Sequence, residues 1–368
     1  MRIRDARVEA LRLAAIAGIA VFHTFQPWFA VAVSGAWVPG AAALWALGAI
    51  SLLGAFGNHV FFAISAYFLI PSVVRASQKQ GYWGIQARKT VRRLVTVAVS
   101  VALWAAIALG VNAWVAPVPG VGLTSVSWLT VGLEFIWVYA ALIAVTPLIG
   151  WLWSRMRRPH LLALSVIVAI LAVSAYIAFV SPGDSERGLF EWRKLMSAAS
   201  YLASFLMGGI IGTAGERSRG LHGKWWPFAA VLAASLAVEG AAAVTGNLSL
   251  LSALSFKSTS LLSFLLATAA LLAVADDAPA AAADGVRARI AAAVRWLASA
   301  ILGYYIFQSM FSGLWRPVFD GCCAQAIATA GVPGLLLAGL ALSLAMLIVV
   351  LIADRVTRLP LLRALRLR

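Results

Sequence analysis

Charge is scarce in this chain. Asp, Glu, Lys and Arg together make up 11% of its 368 residues, against about 25% in soluble domains. Apolar residues make up 62%, and the mean hydropathy is +0.93. Too little polar surface remains to cover the chain in water, which excludes a soluble globular protein. Such an apolar chain is not disordered either. Cysteine is nearly absent. Cys322 and Cys323 are adjacent, a poor geometry for a disulfide, and two thiols make no disulfide framework. Common catalytic signatures are also missing. There is no Walker A sequence, so no nucleotide-driven pump is indicated. There is no HExxH, no GxSxG elbow, and no set of His, Cys or carboxylates at metal-ligand spacing. No metal and no permanently bound cofactor is expected.

Acidic residues are the scarcer sign, 13 against 29 basic ones, for a net charge of +16. That excess points to nucleic acid or to an anionic membrane surface, depending on where the charges lie.

What the chain does have is a series of long apolar runs. A bilayer-spanning helix needs about 20 such residues. Ten stretches qualify: 10–31, 50–71, 94–116, 128–151, 160–180, 197–213, 225–245, 254–275, 294–315 and 333–353. The stretch 38–49 is also apolar, and either lies in the interface or lengthens the second span. The first run resembles a signal sequence. It is long, contains Arg12 and His23 and has no clear small-x-small cleavage site, so it reads as a retained span. Connecting segments are short. The longest are 72–93, 181–196 and 276–293, the last a low-complexity stretch that reads as a mobile linker. No internal repeat is evident. The expected fold is all-α, a single polytopic membrane domain over 1–368 with about ten transmembrane helices.

The basic residues orient it. With a cytoplasmic N-terminus, the outer segments hold only Arg187, Arg193, Lys194, Lys257 and Arg316, leaving 24 of the 29 on the inner side. This asymmetry places both termini in the cytoplasm and favours an even number of crossings. The positive charge is therefore mostly topological, and nucleic acid has no further place as a partner.

Ionisable groups inside spans are costly and tend to mark function. Arg12 and His23 share the first span, 11 residues apart. At about 100° per residue they lie within about 20° of one face, separated by a rise of about 16 Å. Arg12 reads either as a snorkelling anchor or as part of a polar path, and His23 as a core histidine or as a general base. Asn58 and His59 stand at the outer end of the second span, where His59 reads as an interface residue, and Ser65 reads as bonded to its own helix. Arg88 and Arg92 are i, i+4 neighbours followed by Arg93, a cluster suited to phosphate or to a cytoplasmic charge flank. Glu134, about one turn into the fourth span, needs a partner such as His23 or an arginine. Glu239 in the seventh span poses the same question. Gln308 in the ninth reads as interhelical glue. The outer loop 181–194 mixes acids, bases and aromatics, and reads as an acceptor-shaping or simply a solvated segment.

These residues together resemble the acyltransferase 3 family, multi-pass membrane proteins that acylate sugars, lipids and polymers of the cell envelope. The resemblance lies in Arg12 and His23 (within "IAVFH"), in Phe61, Phe62, Ile64, Ser65, Ala66 and Tyr67, and in the arginine run Arg88, Arg92 and Arg93. Weaker likenesses are "EFIWVYAALIAVTP" from Glu134 to Pro147 and "YLASFLMGG" around Gly208. Two positions depart from the pattern: Ala66 stands where glycine is usual, and Gln308 where a histidine is usual.

The resemblance implies acyl transfer, most simply of acetyl, from a cytoplasmic acyl-CoA to a hydroxyl of an envelope glycan or lipid, in the inner (plasma) membrane. Arg88, Arg92 and Arg93 would hold the donor's phosphates. His23 would act as general base, Arg12 would hold the donor or steady developing charge, and Glu134 would orient an imidazole. Asn58, Ser65 and Gln308 would support them. Ten spans with a buried Arg/His face serve a transporter or flippase of an envelope intermediate equally well, and that reading stands as the alternative.

Overall fold

The structure is a computed structural model that describes residues 6–124, 126–130, 132–180, 189–214, 220–255, 260–275 and 285–367. The expected basic residues Arg2, Arg4, Arg187, Arg217, Arg219 and Lys257 lie outside the described residues. Among the described residues the ordered elements are helices, as an apolar chain in a membrane requires, because each helix satisfies its own backbone.

In chain order these are α1 (Ala6–Val33), α2 (Ala41–Ala76), α3 (Tyr82–Trp114), α4 (Ser127–Thr130), α5 (Glu134–Arg155), α6 (Pro159–Phe179) and α7 (Leu189–Thr213). They are followed by α8 (Trp226–Val244), α9 (Leu248–Ser255), α10 (Leu261–Val274), α11 (Gly285–Ala298), α12 (Ile301–Met310), α13 (Ser312–Val356) and α14 (Arg358–Ala364). The protein is an all-α polytopic membrane protein. Most of the ten expected stretches fall on one helix each, whereas 128–151 covers α4 and α5, 294–315 covers α11, α12 and the start of α13, and the described part of 254–275 covers the end of α9 and α10. Among the described residues, eight helices are long and apolar enough to cross a membrane, or nine if α11 and α12, bent by 41°, are taken together.

The differences from expectation lie between the helices. The stretch 38–49 lengthens the second span, since α2 begins at Ala41. The segment 72–93 is almost all helix, with only 77–81 connecting α2 to α3 across Gly81 at φ 68°. Of the expected linker 276–293, residues 285–293 belong to α11, whose Ala and Arg residues are good helix formers, and 276–284 lie outside the described residues. The segment after residue 315 is also helical. α13 runs through it and breaks at Gly331, whose φ of 63° is open to glycine, two residues before Pro333.

The chain divides into two compact units, residues 1–77 with 150–294 and residues 78–149 with 295–368. In the first, α2 is the central helix. Leu52, Phe56, Val60 and Ile64, spaced every fourth residue along it, form one apolar ridge against Leu266, Ala270 and Leu271 of α10. In the second, Trp104 of α3 meets the edges of Phe307 (5.5 Å) and Phe311 (6.3 Å), and Phe135 stacks on Tyr305 at 4.4 Å.

Candidate active site

α1 carries the Arg–His face. Arg12 is bonded within its own helix, its Nη1 donating to both carboxylate oxygens of the buried Glu9 at 3.2 and 3.4 Å. Its guanidinium also lies 5.9 Å from the ring centre of Phe68 on α2, a cation–π distance. The acid was legible at i, i−3 in the sequence, a spacing at which helical side chains meet. Arg12 is thus a cation paired with Glu9 beside an aromatic ring.

His23 is half-buried eleven residues further on. Its Nδ1 faces Gln26 Oε1 at 3.4 Å, a long contact. Nδ1 donating to that carbonyl oxygen leaves the ring's lone pair on Nε2, the form a general base needs. Pro27 follows inside the helix. Proline has no N–H to give to the carbonyl four residues earlier, which is that of His23. The base candidate therefore sits at a local flaw in the helical ladder.

The second span differs from expectation. His59 is fully buried rather than interfacial. Because α2 starts nine residues before the expected span, His59 falls at its middle. Its Nδ1 lies 2.6 Å from the Ser204 hydroxyl of α7, which is also 3.3 Å from the Ser200 carbonyl. Asn58 donates to the Tyr201 hydroxyl at 3.2 Å, and Tyr201 stacks on Phe62 at 4.6 Å. Both partners come from "YLASFLMGG", the segment picked out around Gly208. Ser65 donates to the Phe61 carbonyl at 2.8 Å, the local bond expected of it. Ala66 is fully buried.

The second unit holds the other candidates. Arg88, Arg92 and Arg93 lie in the second and third turns of α3, the first two exposed. Arg92 Nη2 donates to the Arg366 carbonyl at 2.8 Å, tying the chain after α14 to the basic turn. Glu134 is the first residue of α5 rather than a turn inside it, half-buried at a helix start that favours a carboxylate. Gln308 is buried in α12. Its backbone carbonyl accepts from Trp315 Nε1 at 3.0 Å, and its side-chain nitrogen is buried without a hydrogen-bond partner. Asp354 and Arg358 form a buried ion pair that sequence inspection passed over, although their i, i+4 spacing was visible. Among the described residues no group of three or more His, Cys, Asp and Glu is placed to hold a metal ion.

Residues 5–354 match the Acyl_transf_3 family, described as an acyltransferase domain. The chain belongs to the acyltransferase 3 family. No curated protein and no solved structure gives a significant match. Membership of the acyltransferase 3 family makes this a membrane acyltransferase, and the match runs through both compact units. Within the first unit, the family-like residues Arg12, His23 and Phe61 to Tyr67 lie on two helices packed along each other, α1 and α2, which close around Gly18 and Gly57.

Proposed function

We propose that the protein moves an acyl group, acetyl in the simplest case, from cytoplasmic acyl-CoA to a hydroxyl of an envelope glycan or lipid. His23 takes the acceptor's proton as its oxygen attacks the thioester carbonyl. The carbon–sulfur bond breaks, and the proton passes to the departing CoA thiolate, so the reaction is balanced without another reactant. Arg12 stabilises the negative charge that develops on the carbonyl oxygen. Arg88, Arg92 and Arg93 receive the donor's phosphates. The enzyme works in the plasma membrane with both termini cytoplasmic, which puts the arginine turn on the side where acyl-CoA is made.

The observation that carries this reading is His23: a half-buried imidazole with Nδ1 facing Gln26 Oε1 at 3.4 Å, in a chain of this family. The test is transfer of labelled acetyl from acetyl-CoA in membranes supplied with native acceptor. His23→Ala, present at the wild-type level, is expected to slow transfer about 100-fold or more, the usual contribution of a general base. Unchanged transfer rejects the assignment.

A further inference from the structure

Glu239 is the one ionisable residue of α8, and it is fully buried. Ser255 of α9 donates to its Oε1 at 2.6 Å. Its Oε2 is buried with no hydrogen-bond partner. Ser235, one turn earlier on the same face of α8, is likewise fully buried with its hydroxyl unpartnered. By contrast, Ser65, Ser100 and Ser343 each bond the carbonyl four residues back in their own helix.

α2 closes the site. Trp45 Nε1 donates to the Leu236 carbonyl of α8 at 2.9 Å. One turn further along α2, Gly48 lies so close to α9 that a Cβ there would come within 2.9 Å of Leu251 Cδ1 and 3.5 Å of the Ser255 hydroxyl. The next residue on that face, Ser51, is buried with its hydroxyl unpartnered. Among the described residues, the helices packed on α8 supply no basic side chain close to Glu239, and Lys257 lies outside the described residues. On α2 the ionisable residues are His59, which turns to Ser204 of α7, and Arg75 in the last turn, and α9 and α10 have none.

An isolated carboxylate is not stable in such surroundings. It must share the site with one positive charge. A divalent ion generally takes more than one carboxylate, whereas a single carboxylate bonded by one hydroxyl, with unpartnered buried hydroxyls on the adjoining helix faces, suits one unit of charge on a hard, oxygen-seeking cation. We propose that Glu239, with Ser235, Ser255 and Ser51, forms a buried binding site for a single univalent cation, a proton or a sodium ion, that fastens the α8–α9 turn to α2. The site is independent of the acyl-transfer reading, and its failure would leave that reading untouched.

The probe is dicyclohexylcarbodiimide, an apolar reagent that modifies protonated carboxyl groups within membranes. It is applied to the purified full-length protein, with modification at Glu239 measured by peptide mass spectrometry. Modification is expected to fall as pH rises, by about tenfold per pH unit above its midpoint. If sodium is the resident ion, adding sodium chloride in place of choline chloride at constant ionic strength is expected to protect Glu239 at fixed pH. If the proton alone occupies the site, sodium gives no protection and the pH dependence stands. Modification insensitive to both pH and sodium, or no modification under any condition, overturns the proposal. Glu239→Gln removes the label in every case and confirms its position.

Discussion

The carboxylate of Asp354 and the guanidinium of Arg358 are both buried, one helical turn apart. Arg358 Nε donates to Oδ1 and Nη2 to Oδ2, both at 2.6 Å, a two-pronged pair. Trp104 Nε1 adds a third donor to the carboxylate at 3.2 Å, and Arg358 also reaches Ser100 and the Ser299 carbonyl at 3.4 Å. One pair thus ties α3, the start of α12 and the α13–α14 corner together. The net worth of such a pair is small, but removing one partner leaves the other charge buried and uncompensated. Asp354→Ala is expected to cost about 3–5 kcal/mol of stability. The double change Asp354→Leu with Arg358→Met is expected to recover most of that loss, because no orphan charge remains. Thermal unfolding of the three purified proteins checks this, and a double variant as weak as the single one rejects it.

Helix packing depends on which glycines lie in a contact. Gly208 and Gly212 of α7 face the backbone of α2, where a Cβ at Gly208 would run into Ala63 and one at Gly212 would come within 2.5 Å of the Tyr67 carbonyl. These small residues set how close the two helices come, the usual device where lipid offers no hydrophobic drive to associate. Gly84 in α3 has nothing within 4 Å of a built Cβ. Gly208→Ala is therefore expected to lower the unfolding temperature. Gly84→Ala is expected to be neutral or to raise stability by about 0.5–1 kcal/mol, the ordinary gain from replacing glycine inside a helix. Equal effects from the two substitutions would remove the packing argument. The length of the apolar runs was enough to locate the spanning segments but not their ends, because each run had to bury or span while the polar turns that extend α2, α3 and α11 carry no such signal. Which glycine meets which neighbour was not legible, since it depends on pairing between segments far apart in sequence. For the same reason His59 was misplaced. Its partner lies 145 residues away on α7, and its depth depended on where α2 began. Contacts within one helix, such as Glu9 with Arg12 or Ser65 with Phe61, were readable from spacing alone.

At the scale of the whole molecule the open quantity is the parity of crossings. The basic residues favour an even number, with both termini on the inner side. Eight helices suffice for crossing by themselves, and the bent α11–α12 pair makes nine. The remaining expected span, 254–275, rests on α10, which has 14 residues. At 1.5 Å per residue that is about 21 Å, short of the roughly 30 Å hydrocarbon core. α9 precedes α10, and its 8 residues would add about 12 Å if the two stack end to end. The prediction is that α9 and α10 make one composite crossing, returning the chain to the inner side before α11. Impermeant maleimide labelling of intact cells tests it, in a background where Cys322 and Cys323 are replaced by serine. Cysteines are placed singly at Lys79 in the α2–α3 connection, at Thr245 after α8, and at Leu365 near the C-terminus, all exposed positions. Thr245→Cys is expected to label from outside. Lys79→Cys and Leu365→Cys are expected to label only after permeabilisation. Labelling of Leu365→Cys in intact cells, with Lys79→Cys still protected, would make the crossings odd in number and would reduce α10 to a helix that enters the membrane without passing through it.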